Sequence, residues 1–206
     1  MAAFPRTVPP SGVSYPKNVG SLISVGQSGA VQTRSVAGQG ITWTETWSAL
    51  LASSEDVQEL LVTIQDLYNT GSTCTLTHYL LPGSGKDANG SGLGSPKVNG
   101  GGQSGTSLMT YGWTASETGV MKAGDCFTVP GCDVLFRVTA DAASDGSGLA
   151  TITIVPPILA GRSPTNSGAL TIASANITAV VVDYTSASAG PAEYIGGLTV
   201  TFQESP

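Results

Sequence analysis

Charge is scarce in this chain. Only 11% of its 206 residues are Asp, Glu, Lys or Arg, where a soluble domain carries about 25%. Hydrophobic residues make up 40%, so Gly, Ser, Thr and Ala stand where charge would be, and hydroxyls and backbone must solvate the surface. The eight Lys and Arg are spread singly among fourteen Asp and Glu. Without a basic cluster the chain has no means to neutralise a run of phosphates, which argues against direct nucleic-acid binding. A single histidine, His78, removes most acid–base and metal schemes. Cys74, Cys126 and Cys132 form an odd, sparse set unlike a disulfide framework. No apolar run nears the roughly 20 residues that cross a bilayer, so no membrane insertion is expected. "MAAFPRTVPPSGVSYPK" lacks an apolar stretch and carries early prolines, so no secretory signal is expected.

What is present is mostly the alternation of half-buried strands. Residues 1–20 hold four prolines and no stable period, which reads as an extended Pro-rich arm that lies free or along a neighbour. From Ser21 the pattern changes to apolar–polar alternation punctuated by Gly, and residues 21–206 read as a single β-sandwich domain. In "ITWTETW", Ile41, Trp43, Glu45 and Trp47 share one face. Glu45 among tryptophans suggests that this face ends at an edge or an interface.

One helix stands out at about 54–70. Val57, Leu60, Leu61, Ile64, Leu67 and Tyr68 form an apolar stripe at helical spacing. Ser53 or Ser54 can cap its start, Glu55 and Asp56 suit the positive end of its dipole, and Gly71 supplies a left-handed stop. "STCTLTHYLLPG" resumes alternation, with Cys74, Leu76, His78 and Leu80 on one side. The Gly/Ser-rich stretch at about 83–105 reads as a long mobile loop, of the kind that often binds. Strands are expected at 107–114, 126–130, 133–140, 149–155, 169–173, 177–184 and 195–203. Strands, one helix, then many strands predict a mainly β sandwich or barrel with one flanking helix.

The chemical motifs all have simpler structural readings. His78 with three cysteines could in form make a zinc site, but no two cysteines have the short C-x₂₋₄-C spacing of one. Cys126 and Cys132 flank "FTVPG" and could face each other across a hairpin, as a disulfide or, in preference, as buried thiols. Asp141, Asp145 and Ser147 invite a calcium reading, yet the segment lacks the Glu that completes such a loop. Asp-Gly-Ser-Gly between β-branched runs is a hairpin turn instead, and "KAGD" reads as a turn too. "GSGKD" lacks the full phosphate-loop pattern. No catalytic, cofactor-binding or metal-binding residue is nominated, and no cofactor is expected.

The order of these pieces is more informative than any one of them. A strand with Trp43 and Trp47 precedes the helix; Gly119, Gly124 and Asp125 then lead into a strand with Phe136, Arg137 and Val138. Asp145, Gly146, Gly148, Ala150, Thr151, Pro156 and Pro157 follow, and Phe202, Gln203 and Glu204 close the pattern. Over roughly Val31 to Glu204 this order resembles distal tail proteins, the minor tail proteins that cap the tube of long-tailed bacteriophages. The resemblance implies a tail-tube type of fold and a structural, non-enzymatic virion protein assembled in the host cytoplasm. It implies a self-assembled ring, commonly a hexamer, joining tail tube protein to tip or hub proteins, with DNA only passing through the lumen. An acidic surface suits such a lumen, since it repels phosphates. A tail tube or tail completion subunit is the alternative of the same fold. A carbohydrate-binding β-sandwich of a fibre or adhesin is the alternative of another class, with Trp113 and Tyr111 beside the long loop as its only candidate aromatics.

Overall fold

The computed structural model describes residues 2–14, 17–18, 21–25, 31–35, 41–51, 53–77, 93–172, 175–185, 188–189 and 194–205. His78, residues 79–82 and residues 83–92 of the Gly/Ser-rich stretch lie outside them. The strands are β1 (Ala2–Ala3), β2 (Gly12–Val13), β3 (Lys17–Asn18), β4 (Ser21–Val25), β5 (Val31–Ser35), β6 (Ile41–Trp47) and β7 (Leu50–Leu51). Helix α1 (Glu55–Thr70) follows, then β8 (Cys74–Thr77), β9 (Gly94–Val98), β10 (Gly105–Trp113), β11 (Cys126–Val129) and β12 (Cys132–Val138). The chain continues with β13 (Ala150–Ile158), β14 (Asn176–Thr185), β15 (Ser188–Ala189), β16 (Tyr194–Gly196) and β17 (Leu198–Glu204). Among the described residues the protein is mainly β, with a half-barrel, a nearly closed barrel and one helix. The chain divides into two compact units. One is Met1–Leu76 with Thr178–Ser205, and the other is Thr77–Ile177.

The first unit is built on a sheet ordered β1-β8-β14-β17-β6-β2, with β3 also paired to β6. Strict alternation on β6 and β17 sends every second residue inward, because successive side chains of a strand point to opposite faces. Opposed pairs Trp47–Leu198, Glu45–Val200 and Trp43–Phe202 therefore share the buried face. The Trp43 and Phe202 rings stack at 5.4 Å. On α1 the stripe expected from the sequence narrows: Val57, Leu60, Ile64 and Leu67 are buried, while Tyr68 is 45% exposed and packs edge-on against Tyr184. Ser54 sits at the N-cap without a side-chain bond, and Gly71 ends the helix in the left-handed region.

Residues 2–14 are not a free arm. Residues Ala2–Ala3 pair in parallel with β8, Gly12–Val13 pair with β6, and Phe4 is buried against the edge of the Phe202 ring. Burial of Phe4 removes apolar surface that a loose segment would leave in water.

The second unit carries a sheet ordered β11-β12-β13-β10-β9. Its edges are joined by one segment. Thr171 exchanges backbone hydrogen bonds with Thr128 of β11, while Val98 donates to Gly168 and Leu170 donates to Pro96 of β9. The strand expected at 169–173 is thus two single bridges, to β9 and to β11. Their joint effect is a nearly closed barrel, in which part of each edge is covered from within the chain. Inside lie Val98, Leu108, Phe127, Phe136, Ile152 and Ile154.

Strand β9 corrects the expectation of a loop throughout 83–105. A Cβ at Gly94 would lie 2.3 Å from the Gly112 carbonyl oxygen, and one at Gly112 would lie 2.5 Å from that of Ser95. These glycines allow β9 and β10 to approach closely, a use that composition alone does not separate from mobility.

Candidate functional site

The strongest polar constellation is buried in the first unit. Glu45 is fully buried, and its carboxylate accepts both arms of the Arg6 guanidinium, at 2.6 and 3.0 Å. The Trp43 indole donates to the same Oε1 at 3.2 Å. A carboxylate needs such partners where water is excluded. Arg6 also lies over the Phe4 ring, 5.2 Å from its centroid. This overturns the expectation that Glu45 marks an edge or interface: β6 is paired on both sides, and the carboxylate is neutralised from within the chain. Sequence reasoning missed Arg6. The available signal was Glu45 itself, since an acid between two buried tryptophans requires a cation from elsewhere.

The carboxylates singled out in the second unit hold turns. Asp145 Oδ1 accepts from the backbone of Ser147 and Leu149, at 2.8 and 2.9 Å. Asp125 Oδ2 accepts from Lys122 N at 2.7 Å, and Asp141 Oδ1 from Ala123 N at 2.9 Å. Asp141 and Asp145 therefore serve separate loops, and Ser147 contributes to Asp145's turn through its backbone. Among the described residues no group of three or more His, Cys, Asp or Glu is placed to hold a metal.

All three cysteines are buried thiols outside any disulfide. Cys126 and Cys132 lie on one hairpin but do not face each other, since Cys126 opposes Arg137 and Cys132 opposes Val129. The Cys132 thiol instead donates to the Arg162 carbonyl at 2.9 Å. Burial pushes the Cys74 and Cys126 thiols up from the ordinary 9.0 to about 11, with nearby Arg6 and Arg137, respectively, opposing the shift. Folded protein keeps these protons up to about 11, whereas the unfolded chain releases them from about 9. Their contribution to stability is therefore whole below pH 9 and is lost as pH rises between those values. Iodoacetamide at pH 8 is expected to leave Cys74 and Cys126 unlabelled until urea unfolds the chain, as peptide mass mapping would check. Rapid labelling of either in the folded protein would contradict its burial.

An open groove of ≈ 580 Å³ lies on the second unit, lined in part by Asn99, Met109, Ser144, Asp145, Leu149 and Thr151. Met109 and Leu149 are 51% and 41% exposed. Two of its polar groups are already employed: Ser144 accepts from Glu117 N and donates to Thr114 O, and Asp145 holds its turn. Trp113 is only 5% exposed, and its indole donates to Thr110 Oγ1 at 2.8 Å. Burial thus withdraws one of the two aromatics named for the sugar-binding alternative, while Tyr111 is half-buried. The resemblance residues between Gly119 and Pro157 all fall in the second unit, as turn and strand framework, and Phe202 to Glu204 fall in the first. No protein-family model matches the chain, and no curated protein matches it.

Proposed function

We propose that this chain is a structural, non-enzymatic subunit of a bacteriophage tail, forming a ring at the distal end of the tail tube. In this reading the ring is hexameric, joins tube to tip or baseplate, and surrounds the channel through which DNA passes. The virion tail is then its location, after assembly in the host cytoplasm. The observation that carries the reading is the resemblance in element order, whose residues serve as turns and paired strands. The low charge and net −6 also suit a surface covered by neighbours around a lumen that must not grip phosphates.

Native mass spectrometry and negative-stain microscopy of the purified chain test this. The expected species is a closed ring of about six copies. A strict monomer that never occurs in a virion would overturn it. Copy number in the particle separates the same-fold alternative: a tube subunit would be present at roughly tens to hundreds of copies, because it repeats along the tail.

A further inference from the structure

We infer that residues 2–14 are a detachable strap seated in a preformed groove of the first unit, and that this groove accepts the same segment from a second copy of the chain. The inference holds in solution whether or not the tail reading is correct.

The segment makes the contacts of a bound peptide. Its anchors recur at every second position, as in an extended ligand. Phe4 enters the core, Arg6 forks onto Glu45, and the Val8 carbonyl accepts from the Trp47 indole at 3.2 Å. Ser11 and Ser14 finish the run with side-chain and backbone bonds to Thr44, Thr46 and Ser48. The recognised ligand is thus aromatic, then basic two positions on, with a backbone carbonyl two positions further that accepts from Trp47.

The groove has its own foundation. Its floor is Trp43, Glu45 and Trp47 on β6 with Phe202 on β17, strands that pair with each other over six registered positions. The strap, by contrast, carries Pro5, Pro9 and Pro10, which have no N–H to add to a ladder. Short stretches of pairing at its ends and side-chain anchors between them hold it in place. Each anchor lies in one short segment and meets residues distant in sequence. An identical segment from another copy offers the same contacts, the condition under which protomers exchange elements. Effective concentration then decides between its own strap and a neighbour's.

The first test inserts a protease site after Ser14 in the full chain, cuts the folded protein, and adds dye-labelled peptide of residues 2–14. Uptake of one peptide per chain is expected. A peptide carrying Arg6→Met should compete roughly tenfold to a hundredfold less well, the range for lost hydrogen bonds to a charged group. No uptake, or equal competition by the two peptides, would overturn the strap. The second test co-refolds R6E and E45R chains, each carrying a mismatched strap and groove. Exchange restores an acid–base pair in both grooves, so a one-to-one pair is expected by native mass spectrometry, even if neither variant folds alone. The R6E/E45R double variant checks that the reversed ion pair fits. If that variant folds yet no mixed pair forms, acceptance from a second copy is refuted.

Discussion

Replacing Arg6 with alanine should lower the unfolding free energy by about 3–5 kcal/mol, the cost of leaving one partner of a buried ion pair alone. The loss arises at Glu45, which is fully buried and would keep only the Trp43 indole among the bonds described above. Arg6 is itself partly exposed, with 21% of its side chain reaching solvent. Water could therefore enter where the guanidinium had been, and the lower half of the range is the better expectation. Urea unfolding followed by tryptophan fluorescence would read it directly, because Trp43 lies against the carboxylate. Changing Arg6 and Glu45 together to methionine should recover much of the loss, since apolar replacement of both partners of a buried pair is often tolerated. A single-variant loss below about 1 kcal/mol would show that the pair behaves as an exposed one.

Gly148→Ala is expected to cost about 3 kcal/mol or more, as backbone strain and a steric clash combine there. Gly148 has a φ of 73°, in the region that L-residues adopt at a cost. A Cβ there would lie 2.4 Å from the Trp113 carbonyl oxygen, against backbone rather than a side chain that can swing away. Moving Trp113 is not a local matter. Its backbone N–H donates to Gly148 O, and its indole donates to Thr110 Oγ1, which in turn donates to Ala150 O. One methyl group thus presses on the β10–β13 junction. Gly146→Ala, in the same turn, makes a fair control: a Cβ there meets only Ser116 Oγ at 3.9 Å. Calorimetry should find the control within about 0.5 kcal/mol of the parent protein. Equal effects of the two changes would contradict the close approach at Gly148.

Local chemistry was readable in the sequence, and distant chemistry was not. Helix α1 is legible because its stripe, its acidic first turn and Gly71 lie within 17 consecutive residues, Glu55 to Gly71. The Asp125 and Asp145 turns are legible for the same reason, each carboxylate bonding backbone within four residues. Arg6 was hidden because its partner stands 39 positions away. Prolines nearby also made the segment look unfit for packing, though they preclude ladder bonds and not side-chain burial. Trp113 looked available because it borders a Gly-rich stretch, yet those glycines bring a strand close. The alternation of 169–173 was visible, but a single strand and a bridge between two sheet edges share one pattern. For the site, the sequence nominated no residue, and the buried Arg6–Glu45–Trp43 cluster depends on a contact that only folding creates.

The central position of β17 has a consequence for the order of events during synthesis. Chain order makes it the last of the described strands, yet it lies between β14 and β6. A growing polypeptide can assemble the barrel of Thr77–Ile177 while the ribosome is still making the rest. Trp43 and Trp47, made far earlier, must wait for Leu198, Val200 and Phe202 before their strand gains its main neighbour. Such long-range pairing is slow, so the earliest part of the chain is among the last to reach its final surroundings. A product that stops before Leu198 would leave β6 unzipped on that side, an invitation to chaperones or to aggregation.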